Sequence, residues 1–229
     1  MSMPFYVSPE QVMKDRADYA RKGIARGRSL VAASYEGGIL LCAENPSSRL
    51  RKISEIYDRI AFAGVGKYNE FDQLRIAGIR AADLKGYAYS REDVDARSLA
   101  NNYAQILGQI FTHEMKPLEV EILVAEVGPA PADDRLFHLL YDGTVVDESR
   151  FTVLGGEAEA IAERLARSFE DGLDGLDQRA VLRASTAALA GDDRVLSGRE
   201  LEVAVLERQG ARRAFRRLSA EVLSELLAG

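Results

Sequence analysis

The sequence predicts an α+β domain with strands and helices grouped in separate blocks, rather than a doubly wound parallel sheet. Two nearly continuous apolar runs, 30–35 and 39–43, meet at Glu36-Gly37-Gly38 and read as a hairpin covered on both faces. Two long stretches of helical periodicity follow the first strand block. A second strand block opens at Pro117 and leads to two further helical stretches, one strand and a closing helix. Two sheets packed face to face, with helices outside, account for a hairpin buried on both sides.

The chain begins with helix signals. Ser8 suits a cap, Pro9 the first helical position, and Gln11 a capping box with Ser8. The helix is expected to run over 8–26. Its apolar side (Val12, Ala17, Tyr19, Ala20, Ile24) is modest, and Lys14, Arg16, Arg21, Lys22 and Arg26 make it basic. So weak a stripe fits either a loosely attached surface helix or one that packs against a neighbouring copy.

After the first hairpin, 45–48 is a loop and shorter strands are expected over 52–56 and 60–63. Phe71, Leu74, Gly78, Ile79 and Ala82 recur at helical spacing, as do Leu99, Tyr103, Ile106, Leu107, Ile110 and Phe111. A polar connector is expected over 86–94. Leu118, Val120, Ile122 and Val124 alternate with Glu119 and Glu121, which predicts a strand with one wet face. Asp142-Gly143 joins 136–141 to 144–146 in the strongest short hairpin signal of the chain. A strand over 151–154 precedes a helix carrying Ile161, Leu165 and Phe169. A further helix over 175–190, a polar mobile stretch over 191–198, a strand with Leu201, Val203 and Val205, and a helix over 220–227 complete the order.

Composition narrows the function. Of 229 residues, 47% are hydrophobic and 29% charged, ordinary values for a globular protein. The net charge of −6 argues against nucleic-acid binding, which needs a basic face. No apolar run reaches the roughly 20 residues needed to span a bilayer, so no membrane partner is expected. The first residues lack a signal-peptide pattern, and the single Cys42 cannot form an internal disulfide. A cytoplasmic location is expected. His113 and His138 are the only histidines and have no metal-ligand spacing with Cys42 or a carboxylate cluster. No nucleotide-binding glycine motif follows a strand. No metal and no cofactor is expected.

Several ordered blocks carry a family resemblance. Phe5-Tyr6-Val7-Ser8-Pro9-Glu10-Gln11, Ala20-Arg21-Lys22-Gly23-Ile24-Ala25-Arg26-Gly27 and Ala43-Glu44-Asn45-Pro46-Ser47 resemble the α subunit of the actinobacterial proteasome. So do Lys52-Ile53-Ser54-Glu55-Ile56-Tyr57-Asp58-Arg59, Gly66-Lys67-Tyr68-Asn69-Glu70-Phe71 and Leu99-Ala100-Asn101-Asn102-Tyr103-Ala104-Gln105. Weaker similarity continues through Tyr141-Asp142-Gly143, residues 201–206 and Arg213-Ala214-Phe215-Arg216-Arg217. The resemblance implies a four-layer α-β-β-α sandwich, the N-terminal-nucleophile hydrolase fold, with an extra N-terminal helix. It implies a gate segment at 1–7 and one domain over 8–229.

Catalytic members of this superfamily use their own processed N-terminal threonine as nucleophile, with the free α-amine as base. Aligned through the first hairpin, Arg28-Ser29-Leu30-Val31 falls where a processed subunit starts with Thr-Thr. Lys52 falls at the catalytic lysine and Glu44 at the aspartate. A guanidinium cannot attack a carbonyl, so no catalytic residue is expected. Ser29 could serve only after cleavage behind Arg28, of which the sequence bears no sign. The alternative, an active threonine- or serine-type peptidase of the same fold, is disfavoured by Arg28 and by the helix standing where a propeptide would be. A self-standing binding module is the third reading.

The resemblance further implies an outer-ring subunit among seven copies, stacked on catalytic β subunits, that admits unfolded protein substrates and docks a hexameric regulatory ATPase. In related rings the lysine matching Lys52 lines a pocket between adjacent subunits and accepts the C-terminal carboxylate of an ATPase tail, whose end carries a hydrophobic-tyrosine or similar motif. Gly27 matches the pocket glycine that leaves room for that tail. Lys67 lies at a third pocket position, where related rings carry an apolar residue. Met1-Ser2-Met3-Pro4-Phe5-Tyr6-Val7 matches the segments that meet at the ring centre and obstruct entry. Helix 8–26 and the helix bearing Leu99 and Phe111 are expected to contact neighbouring subunits or the catalytic ring.

Overall fold

A computed structural model describes residues 8–170, 172–173, 175–209 and 212–228. The expected gate segment, residues 1–7, lies outside the described residues.

One sheet holds β1 (Leu30–Tyr35), β2 (Gly38–Glu44), β8 (Phe151–Leu154), β9 (Leu201–Glu207) and β10 (Phe215–Arg217), in the order β10-β9-β2-β1-β8. The other runs β3-β4-β5-β6-β7, built from β3 (Ile53–Tyr57), β4 (Ile60–Gly66), β5 (Val120–Glu126), β6 (Arg135–Leu139) and β7 (Val145–Glu148). Neighbouring strands are antiparallel throughout the described residues. Helices α2 (Tyr68–Ala88) and α3 (Ala96–His113) cover the second sheet, and α4 (Ala158–Ser168), α5 (Gln178–Ala190) and α6 (Ala220–Leu227) cover the first. This is the expected four-layer α-β-β-α sandwich.

Alternate residues of the first hairpin go to different layers, which is why its runs are apolar without a break. Leu30, Ala32, Ile39 and Leu41 point between the sheets, where they meet Ile53, Ala61, Leu123 and Leu136. Val31 and Leu40 point the other way, toward Ile161 and Leu165 of α4 and Leu182 of α5. Each large aliphatic side chain so buried contributes about 1.5–3 kcal/mol. The hairpin closes at Gly38, whose φ of 141° favours glycine; a Cβ there would lie 1.9 Å from the Leu206 carbonyl oxygen.

Helix α1 (Pro9–Ile24) is capped as expected, Ser8 Oγ accepting from the Gln11 amide at 3.3 Å. The capping box is only half formed, because the Gln11 amide side chain donates to Asp15 Oδ1 at 2.6 Å instead. Ala20 and Ile24 are buried with Tyr141, and Ala17 and Phe111 flank them. Polar contacts make up for the thin stripe: Arg16 donates to the Ile110 carbonyl at 3.2 Å and to the Glu114 carbonyl, while its guanidinium stacks over Phe111. The helix is therefore fastened to the C-terminal end of α3 in its own chain. Val12, Met13 and Tyr19 remain exposed.

Other elements depart from expectation for local reasons. The β3 strand begins one residue late, leaving Lys52 in front of it. Helix α2 continues to Ala88, into the expected connector, because Gly86 leaves room for the Tyr57 hydroxyl; a Cβ there would lie 2.1 Å from it. The β5 strand starts at Val120 rather than Leu118, and its expected wet face is largely covered. Leu123 and Ala125 end the alternation and face the inter-sheet core. Helix α5 starts at Gln178, where Asp177 accepts from the Ala180 amide at 2.8 Å. The stretch 191–198 is anchored rather than loose, since Arg194 donates to Glu44 and Leu196 is buried. The three-residue β10 is too short to show a period.

Candidate functional site

The link between α1 and β1 approaches the end of β4 at two glycines. Gly27 donates to the Ile24 carbonyl at 2.8 Å. A Cβ on Gly27 would lie 3.0 Å from the Gly66 nitrogen and 3.1 Å from the Ile24 carbonyl oxygen. Gly66 has a φ of 100°, and a Cβ there would strike the Glu119 carbonyl oxygen. Both positions let the backbones approach more closely than a side chain there would allow.

Arg28 follows Gly27, and its two ends are engaged separately. Its carbonyl accepts from Lys52 Nζ at 2.5 Å. Its guanidinium, half-exposed, pairs with buried Glu44 at the end of β2. Glu44 also accepts from Arg194 Nη1 at 2.9 Å and Nη2 at 3.3 Å. Ser29 is buried, and its carbonyl accepts from the Glu44 amide at 3.1 Å as the ladder of β1 and β2 begins. The three positions aligned with nucleophile, lysine and aspartate thus meet in space. The first holds a guanidinium already committed to a carboxylate.

Gly27, Arg28, Ser29, Glu44, Arg164 and Arg194 line an open cleft of about 560 Å³. Lys52 does not line it but joins its wall through the Arg28 carbonyl. Burial pushes the Lys52 ammonium down to about 8 from an ordinary 10.5. Glu202 and Glu44 partly offset this by attraction, and Arg28 adds to it by repulsion.

Lys67 precedes α2 and sits beside Gly27 through the neighbouring Gly66 backbone. Its ammonium turns toward carboxylates, 3.3 Å from Glu70 Oε1 and 3.9 Å from Glu119 Oε2. Lys116 binds the same two, at 2.7 Å and 2.8 Å. Burial would raise the Glu70 carboxyl, but hydrogen bonds from Lys116 and the Glu119 amide hold it below the usual range. The structure therefore gathers Gly27, Arg28, Glu44 and Lys52, and brings Lys67 near by backbone alone.

Sequence reasoning missed Arg194, Glu202, Asn45 and Arg217. Glu202 lies between Leu201 and Val203 on β9, a position that reads as the wet face of an alternating strand, yet it is buried. The available signal was the excess of arginines near the end of the chain, one of which, Arg217, pairs with it. Cys42 is fully buried. His138 lies 3.4 Å from Glu121, and His113 Nδ1 lies 3.2 Å from the Gln109 carbonyl oxygen. Among the described residues no cluster of His, Cys, Asp and Glu could hold a metal ion, and no helix is long and apolar enough to cross a membrane.

Comparison with known proteins agrees with this geometry. Residues 24–206 match the family model described as proteasome subunit. The chain is 65% identical over 227 residues to the proteasome subunit alpha of Acidimicrobium ferrooxidans, covering 99% of this chain and 97% of the relative. It is 60% identical to that of Sanguibacter keddieii, over 100% of this chain and 90% of the relative. It is 56% identical to that of Xylanimonas cellulosilytica, over 98% of this chain and 95% of the relative. With the four-layer sandwich and a family match spanning most of its length, the chain belongs to the proteasome subunit family.

Proposed function

We propose that the chain is a non-catalytic α subunit of a proteasome core particle, working in ATP-dependent protein degradation in the cytoplasm. Seven copies form an outer ring on the catalytic β subunits, admit unfolded protein through a gate made of residues 1–7, and dock a hexameric ATPase at pockets formed by Gly27, Lys52 and Lys67. The observation that carries this reading is Arg28. It stands where a nucleophile would, its guanidinium held by Glu44 and its carbonyl by Lys52. The fastening of α1 to the end of α3 adds support, because a helix so tied suits retention rather than removal as a propeptide. Buried Ser29, whose carbonyl lies in the β ladder, is poorly placed to become a free chain end.

Co-expression with a catalytic subunit of the family tests the assembly. Size-exclusion chromatography is expected to show a particle of many hundreds of kilodaltons, and a monomer would remove the ring. Intact mass of this chain from that particle is expected to retain residues upstream of Ser29. A chain starting at Ser29 would restore the active-peptidase reading.

A further inference from the structure

We propose that Glu202 is a positioning residue for Lys52: with Arg217 it fixes the backbone from which the docking lysine springs and stabilises its ammonium. The proposal rests on the docking reading of Lys52. Glu202 is 3% exposed, and a buried carboxylate persists only when its oxygens are satisfied. Four donors reach it. The Lys52 amide donates at 2.8 Å, the Ile53 amide at 3.3 Å and Asn45 Nδ2 at 2.7 Å, and the Arg217 guanidinium completes the set. Arg217 Nη2 also donates to the Ile53 carbonyl at 2.6 Å. The ion pair thus straddles the peptide units where β3 begins.

The loop leading into Lys52 is held by the same group. Asn45 Nδ2 bridges Glu202 and the Leu50 carbonyl, the latter at 2.8 Å, and Asn45 Oδ1 accepts from the Ser47 amide at 3.0 Å. Residues 45–52 are therefore folded around Asn45 and Glu202, and the Lys52 side chain leaves from a fixed point. A long side chain anchored at its root loses less freedom when its ammonium is captured. Arg28 before β1, Glu44 on β2 and Glu202 on β9 act on the ammonium, with Arg217 on β10 against Glu202. Among these Glu202 is the larger source of attraction.

The test uses the assembled core and two readouts. Trace acetylation followed by mass spectrometry across a pH series reports the protonation of Lys52. Binding of a synthetic peptide ending in a hydrophobic-tyrosine motif is compared between its free carboxylate and its C-terminal amide. In Glu202→Gln the acetylation midpoint of Lys52 is expected to fall by on the order of one unit. Free-acid affinity at pH 8 is expected to fall about fivefold, as the protonated fraction of Lys52 drops, with the amide unaffected. Glu202→Asp recovers most of the midpoint. An assembled Glu202→Gln particle with an unchanged midpoint overturns the proposal. Should that variant not assemble, Arg217→Met leaves the Glu202 charge uncompensated and is expected to move the midpoint up; no upward movement overturns it. Lys52→Ala separates the two claims. If it binds the free acid as wild type does, the docking reading fails, whatever the midpoint in Glu202→Gln shows.

Discussion

Lys52 Nζ donates to the Arg28 carbonyl oxygen at 2.5 Å, joining the head of β3 to the link before β1. The lysine that the resemblance aligns with a catalytic lysine here touches the main chain of Arg28, the residue aligned with the nucleophile.

Replacing Lys52 by alanine is expected to abolish ATPase-stimulated proteolysis while the particle stays assembled. A charge-assisted bond of about 1.5–3 kcal/mol corresponds to roughly ten- to hundred-fold per tail, and several tails on one ring multiply the loss. Unchanged stimulation with an intact particle refutes the docking role.

Lys52 carries a pH dependence with a definite sign. Its folded value of about 8 lies below the ordinary 10.5, so between the two the unfolded chain holds a proton the folded chain has released. The conformational penalty of charged Lys52 is full below about 8 and fades toward 10.5. Lys52→Met should therefore gain stability relative to wild type at neutral pH, and the gain should shrink near pH 10.5, as thermal unfolding at both values can check. Tail binding should weaken as pH rises past about 8 in wild type.

Gly27→Val should impair docking through space rather than charge. A Cβ already meets the Gly66 nitrogen at 3.0 Å, and further methyls must enter the cleft or push the two backbones apart, at a cost of about 1–3 kcal/mol. Peptide binding to the assembled variant is the measurement, and wild-type affinity would show that the tail does not pass Gly27.

Asp134 and Arg208 form a nearly fully buried ion pair, 2.8 Å apart. Arg208 also donates to the Tyr35 and Gly128 carbonyls, and Asp134 accepts from the Gly128 amide and Ser34. Asp134→Ala strands a buried guanidinium and should cost about 3–5 kcal/mol, or roughly 10 °C in the unfolding midpoint of an isolated chain. A shift of a degree or two would mean that water reaches the pair.

Deleting residues 2–7 should raise hydrolysis of small peptides by the assembled core while leaving the fold described above intact. No rise would remove the gate.

Much of the architecture was legible in residue order. Unbroken apolar runs at 30–35 and 39–43 meant burial on two faces, and the first sheet does lie between a helical layer and another sheet. Alternation misled at β5, because Glu119 and Glu121 flank its first residue while Leu123 and Ala125 decide its middle. Length misled at β10, whose three residues owe their conformation to pairing with β9 rather than to any local pattern.

The candidate site divides in the same way. That Arg28 falls where the resemblance puts a nucleophile was legible from the sequence, and a guanidinium has no nucleophilic character to offer there. That Glu44 accepts both Arg28 and Arg194, that Lys67 turns to Glu70, and that Glu202 holds the root of Lys52 are decided by the tertiary structure alone. Glu202 is 150 residues from Lys52 in sequence, and no local pattern marks a charge as buried. Burial of a carboxylate depends on donors that only the packed sheets deliver.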